Sequence, residues 1–177
     1  PHDFVRRPDE PPSGFEQPEL PDLRTLPPSS FEIRNLPQGR VLRFANTVWN
    51  SGDAPLELQG VVDHTTRRTF VSQLAHAADG QLHTWPVGEF VWHPTHTHWH
   101  LDDFATYELW SVTRQGELGA LVAGGGKVSF CLIDTEVVGL DDPLRPAGRH
   151  YVGCGRGTQG LSIGWGDRYA SHLDGQS

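Results

Sequence analysis

The sequence predicts an all-β protein, an antiparallel β-sandwich or barrel-like domain with long ordered loops and little helix. Three observations carry that reading. Of 177 residues, 20 are Gly and 14 are Pro, whereas the two together usually make up about 12% of a chain. Short runs of branched and aromatic residues recur about 8–14 residues apart, the spacing of short antiparallel strands. No segment sustains the 3.6-residue apolar period of a helix. Leu74-Ala75-His76-Ala77-Ala78 offers a single turn at most.

The elements follow in chain order. Nine of the fourteen prolines lie in the first forty residues. Residues 1–19 read as an extended Pro-rich arm or the remnant of a pro-segment, and residues 20–177 as one domain opening at Leu20-Pro21-Asp22-Leu23. The chain starts at Pro and holds no Met, so removal of an upstream segment is expected. From Arg40, the residues Val41, Phe44 and Val48 mark a strand that stops at the turn cluster Asn50-Ser51-Gly52-Asp53. Leu56, Leu58 and Gly60 alternate with polar residues. A further strand is expected from Arg67 to Gln73, around Thr69, Phe70 and Val71, with a hairpin turn at Ala78-Asp79-Gly80. Phe90 to His100 and Phe104 to Val112 each read as one strand. Lys127 to Asp134 reads as another, after three glycines. Residues 139–168, rich in Gly and Arg, read as ordered loop.

Composition narrows the function. Six Trp, eight Phe and three Tyr can fill a core, and no apolar run is long enough to span a bilayer. The net charge is −8 and the basic residues form no stripe, which argues against a nucleic-acid partner.

Ten histidines stand out, four of them within Trp92-His93-Pro94-Thr95-His96-Thr97-His98-Trp99-His100. In a strand, i, i+2 and i+4 share a face, so His96, His98 and His100 are expected to project together and converge on one metal ion. Imidazole suits copper, zinc, iron or nickel, and three protein ligands leave a position open. A surface run of histidines is the plain alternative, but this run leads straight into Leu101, Phe104 and Tyr107. His93 precedes a proline and falls outside the alternation, which gives it a supporting or structural role. His64, His76 and His83 sit among turn residues, and His150 and His172 stay open. A cupin-type dioxygenase would want a Glu shortly after the second histidine, where only Asp102 and Asp103 occur.

The segment from His96 to Leu109 resembles the copper-binding stretch of the lysyl oxidase family. Lys127-Val128-Ser129-Phe130-Cys131-Leu132-Ile133-Asp134 is similar to the segment carrying the lysine of that family's protein-derived quinone. Cys154 to Ser162 and Gly166-Asp167-Arg168-Tyr169 resemble the segment that ends at the partner tyrosine. The resemblance implies that His96, His98 and His100 bind copper. It implies that Lys127 and Tyr169 form a lysine tyrosylquinone, and that Cys131 pairs with Cys154, in the leaner bacterial or archaeal manner. The implied activity is a secreted copper-dependent amine oxidase. It would turn lysyl side chains of proteins, or small primary amines, into aldehydes with O₂, releasing hydrogen peroxide and ammonia. A non-catalytic copper- or zinc-binding β-domain is the alternative. Asp167, two residues before Tyr169, is the candidate base, against the plain reading of a turn aspartate beside Gly166. Asp22-Leu23 matches a position that helps hold calcium in animal relatives, and calcium is left open. Family domains continue with further strands where this chain stops, so the last strands are expected to be missing or supplied by a separate C-terminal fragment.

Overall fold

The computed structural model describes residues 18–37, 39–77, 79–125 and 128–173. Among the described residues it contains thirteen strands and no helix. One antiparallel sheet joins β1 (Leu23–Thr25), β3 (Gly39–Asn50), β13 (Trp165–Tyr169) and β11 (Glu136–Val137) in that order, with β2 (Ser29–Leu36) also paired to β3. A second runs β10 (Val128–Phe130), β7 (His98–Ala105), β6 (Leu82–His93), β5 (Thr69–His76), β4 (Leu56–Val62) and β12 (Thr158–Leu161). A separate two-stranded ribbon holds β8 (Glu108–Val112) and β9 (Leu118–Gly124).

The barrel-like expectation is corrected. The six-stranded sheet ends on the short strands β10 and β12, which do not pair with each other, so it stays open. Short edges limit the unpaired backbone such a sheet presents.

The core follows from strand alternation. Leu56 and Leu58 on β4, Val71 on β5, Phe90 on β6, Leu101 on β7, Phe130 on β10 and Leu161 on β12 meet in one buried cluster, which Tyr169 enters from the other sheet. Polar residues tie the layers together where carbon cannot. The buried Asn50 side chain accepts from the N–H groups of Asp22 and Gly52 and donates to the carbonyls of Ala54 and Leu161. The fully buried Asp134 carboxylate accepts from the backbone of His150, Tyr151 and Ser162 and from the Ser162 hydroxyl. Gly160 lies so close to the Leu56 carbonyl and the Tyr151 ring that no side chain fits there.

Several boundaries differ from expectation. Leu74 to His76 belong to β5, paired with Thr84 to Leu82, not to a helical turn; cross-strand pairing overrides the local helical preference of Leu and Ala. Pro86 and Gly88 hide the first half of β6 in the sequence, and a bulge between Val71 and Ser72 accommodates them. The stretch from Phe104 to Val112 breaks at Thr106-Tyr107. Tyr107 turns inward there, its hydroxyl accepting from Asn46 at 2.7 Å and its ring edge-on to Phe44. β12 and all of β13 but Tyr169 lie within the stretch read as loop. The hairpin between β5 and β6 closes near Gly80, at φ +82°; Ala78 lies outside the described residues, as do residues 1–17 of the arm.

Cys131 and Cys154 are bonded, with Cα atoms 5.4 Å apart and 23 positions between them. In the chain-entropy picture, a loop of that length contributes about 3.5 kcal/mol. Replacing both cysteines by Ser is expected to lower the denaturation free energy by about 2–4 kcal/mol, read as a lower urea midpoint. An unchanged midpoint would deny the bond a stabilising role.

Candidate active site

The site is built on a reversal of the chain that the histidine run conceals. β6 ends at His93 and β7 begins at His98, and the two pair directly, with Trp92 opposite Trp99. Pro94 to Thr97 make the turn: the His93 carbonyl accepts from the N–H groups of His96 and Thr97, and Thr97 takes φ +55°. A proline just after the acceptor carbonyl presets such a turn. The run from Phe90 to His100 is therefore a hairpin, not one strand. The alternation holds for His98 and His100 on β7, while His96 reaches the same place from the turn.

The hairpin gathers four rings. His93, set aside by the alternation, lies stacked on His100 at 4.6 Å and 15°, and 4.5 Å from the His96 ring. His98 is 4.7 Å from His100 and 5.5 Å from His96. His96 Nδ1 is 3.3 Å from His100 Nε2. Ligand nitrogens of His93, His96 and His100 all fall within 4.8 Å of one another. Ser129, also missed in the sequence, fixes the buried His100 through Nδ1 at 3.0 Å. The signal for both missed residues was cross-strand register, which needs the hairpin to be known.

Electrostatics disfavours charge on three of these rings, His93, His98 and His100. Burial, then the neighbouring histidines, pushes His100 down to about 3. Burial, then the nearby His96, lowers His93 and His98 as well. Neutral imidazoles offer lone pairs without first losing a proton. His93 Nδ1 and His98 Nε2 are buried with no hydrogen-bond partner among the described residues. Buried polar atoms are rarely left so, and a transition-metal ion bound among the rings would satisfy the His98 nitrogen. The donor set is thus one that copper fits.

β13 supplies the opposite wall. Asp167 and Tyr169 sit two apart on this strand, opposite Val48 and Asn46 of β3, and both are buried. The Tyr169 hydroxyl accepts from the Cys131 N–H at 2.8 Å and donates to the Cys131 carbonyl at 2.9 Å, and its ring meets Phe130 edge-on at 4.4 Å. Burial, reinforced by the Asp167 charge, raises its phenol. Asp167 is raised well above the usual carboxylate range by burial, which outweighs hydrogen bonds from Ile133 and Thr135. Its Oδ2 has no hydrogen-bond partner among the described residues. A cleft of about 300 Å³ is lined by His96 and His98, by the disulfide, and by Asp167 and Tyr169. Gln159 braces this arrangement, donating to the carbonyls of Trp99 and Gly155 and accepting from the Leu132 N–H.

Lys127 lies outside the described residues. His76 and His83 stand apart from the cluster, His76 beside Glu57 and His83 stacked on Trp85. The Asp22 carboxylate is taken up by Arg24 and Ser51.

Comparison with known proteins gives the family. The lysyl oxidase family model matches residues 59–177. The zebrafish (Danio rerio) protein lysyl oxidase homolog 3A is 36% identical over 138 residues, covering 77% of this chain and 14% of the relative. Rat (Rattus norvegicus) lysyl oxidase homolog 2 is 35% identical over 138 residues, 77% of this chain and 13% of its own. Rat protein-lysine 6-oxidase is 39% identical over 93 residues, 51% of this chain and 20% of its own. The chain therefore spans about a seventh of the length of the first of these relatives. With the family match covering the histidine hairpin, both cysteines and the Tyr169 strand, the chain belongs to the lysyl oxidase family.

Proposed function

We propose that the protein is a secreted copper-dependent amine oxidase that converts a primary amine, on a lysyl side chain or a small molecule, to an aldehyde. In that reaction the amine, O₂ and water give aldehyde, hydrogen peroxide and ammonia. The observation that carries the reading is the cleft that His96, His98, Asp167 and Tyr169 share. It brings a metal-ligating set, an oxidisable phenol and an acid–base group to one place. The disulfide fits the oxidising compartment that secretion implies.

His96, His98 and His100 would hold copper, with the His93 ring packed against them. Bound there, copper would supply the oxidising chemistry that makes a quinone from the Tyr169 phenol and the Lys127 amine, and the quinone would supply the electron sink for amine oxidation. The rest falls to side chains of this chain. Ser129 holds the His100 ring in one orientation. The Cys131 backbone clamps the Tyr169 oxygen from both sides. Asp167 takes the proton from the carbon bearing the amine at its Oδ2, which no described residue engages, and its raised affinity for protons makes it a stronger base than an exposed carboxylate. Peptide mapping by mass spectrometry tests the cofactor: a covalent Lys127–Tyr169 pair is expected after copper and O₂ are supplied, together with peroxide release from an alkylamine. A mature, copper-loaded chain that oxidises no amine would leave only a metal-binding β-domain.

Asp167→Asn is expected to lower kcat by about 10²–10⁴ and to remove the rise of kcat/KM with pH that deprotonation of Asp167 produces. Stability follows the same group with the opposite sign. Its folded proton affinity exceeds the unfolded one, so its contribution is full at low pH and lost as pH rises through the folded value. The Asn variant, neutral throughout, is expected to lose less stability at alkaline pH than the parent. Equal alkaline melting profiles, or an unchanged pH–rate profile, would remove Asp167 from this role.

A further inference from the structure

We propose that the dithiol form of this chain holds a soft or borderline metal ion, Cu(I) or Zn(II), between Cys131, Cys154 and His98. The site shares the His98 ring with the imidazole set proposed for copper, so that ring serves one ion at a time, and it does not depend on amine oxidation taking place. A ring nitrogen of His98 and the two sulfurs all lie within 4.8 Å of one another. A tetrahedral ion with metal–sulfur bonds of about 2.3 Å separates two thiolates by roughly 3.8 Å. Cα atoms 5.4 Å apart allow that spacing once the sulfur–sulfur bond is open.

The backbones that carry the sulfurs are held by bonds that do not involve sulfur. Tyr169 clamps Cys131 through both its N–H and its carbonyl. The Cys154 carbonyl accepts from the Trp99 N–H at 3.0 Å, and Gln159 holds the next residue, Gly155. Reduction therefore leaves the two cysteines facing each other beside His98. His98 Nε2 is already buried and has no hydrogen-bond partner among the described residues. The cleft beside the three residues leaves room for a fourth, exogenous ligand.

Donor chemistry distinguishes this site from its neighbour. His93, His96 and His100 form an all-nitrogen cluster, whereas two thiolates and one imidazole select Cu(I) and Zn(II). The two sets adjoin at His98, whose ring is 4.7 Å from His100. The disulfide form offers no thiolate, so the redox state of one cysteine pair decides whether the second site exists.

The test uses the full chain, reduced anaerobically with a phosphine and titrated with Co(II) as an optical probe. A thiolate-to-cobalt charge-transfer band saturating at one equivalent is expected, displaced by Zn(II) and absent from the oxidised chain and from Cys131→Ser. His98→Ala is expected to weaken the Co(II) affinity by about tenfold or more. If reduction alone abolishes the near-ultraviolet circular dichroism, Zn(II) is expected to restore it in the parent and not in Cys131→Ser. A reduced chain with no sulfur band, a band that His98→Ala leaves at the same affinity, or a reduced and unfolded chain that Zn(II) does not restore would each overturn the proposal.

Discussion

Tyr169→Phe is expected to abolish amine oxidation down to the enzyme-free background while copper stays bound. Phenylalanine keeps the ring that meets Phe130 edge-on, so the packing of β13 against the core survives. The variant loses the phenol oxygen, from which any quinone at this position must be made. It also loses both hydrogen bonds to Cys131. The stranded N–H in a buried setting is expected to cost about 1–3 kcal/mol, a fraction of a domain's stability. Three readouts separate the contributions: copper content unchanged, urea midpoint modestly lower, and quinone absorbance and peroxide absent. Amine oxidation at the parental rate in this variant would exclude Tyr169 as the cofactor precursor.

His100→Ala has the next largest expected effect, and it differs in kind. His100 is the most buried of the four rings, is held by Ser129, and contacts the other three. Removing it takes away a nitrogen donor and opens a void among the remaining imidazoles. Copper affinity is expected to fall by more than about a hundredfold, beyond what loss of a supporting contact alone produces. Quinone formation and peroxide release are expected to fall with it. Ser129→Ala gives the graded comparison: His100 remains, its orientation is freed, and the expected loss is about 10–100-fold. Dialysis against a copper chelator of known affinity reads both. Full copper retention by His100→Ala would show that the ion sits elsewhere.

The sequence revealed composition-level and period-two features well, and chain reversals poorly. Gly and Pro abundance and the spacing of short apolar runs pointed to β structure. The pattern of Leu56 and Leu58, and that of Phe44 and Val48, matched strands because each is one face of a sheet. The histidine run read as a straight strand because period two is blind to a turn that preserves the spacing of the residues on either side. Pro94 was the local clue to that turn. The place of His93 against His100, and of Ser129 behind it, depends on register between β6, β7 and β10, which one strand's sequence does not encode. The burial of Asp167 was equally hidden. Its neighbours Gly166 and Arg168 read as loop, and only pairing of β13 with β3 puts the carboxylate inside.

The β8–β9 ribbon leaves the body of the protein and returns to the same point, where Gly125 N–H donates to the Tyr107 carbonyl and Val128 pairs with Ala105. Its strands are exposed along almost their whole length, and its tip is the tight turn in which Thr113 accepts from Gly116 and Glu117. For protein engineering, this makes the tip a grafting port. A foreign peptide or a small fluorescent domain placed between Gln115 and Gly116 would lengthen an excursion that is already closed at its base. The entropic penalty grows only with the logarithm of the added length.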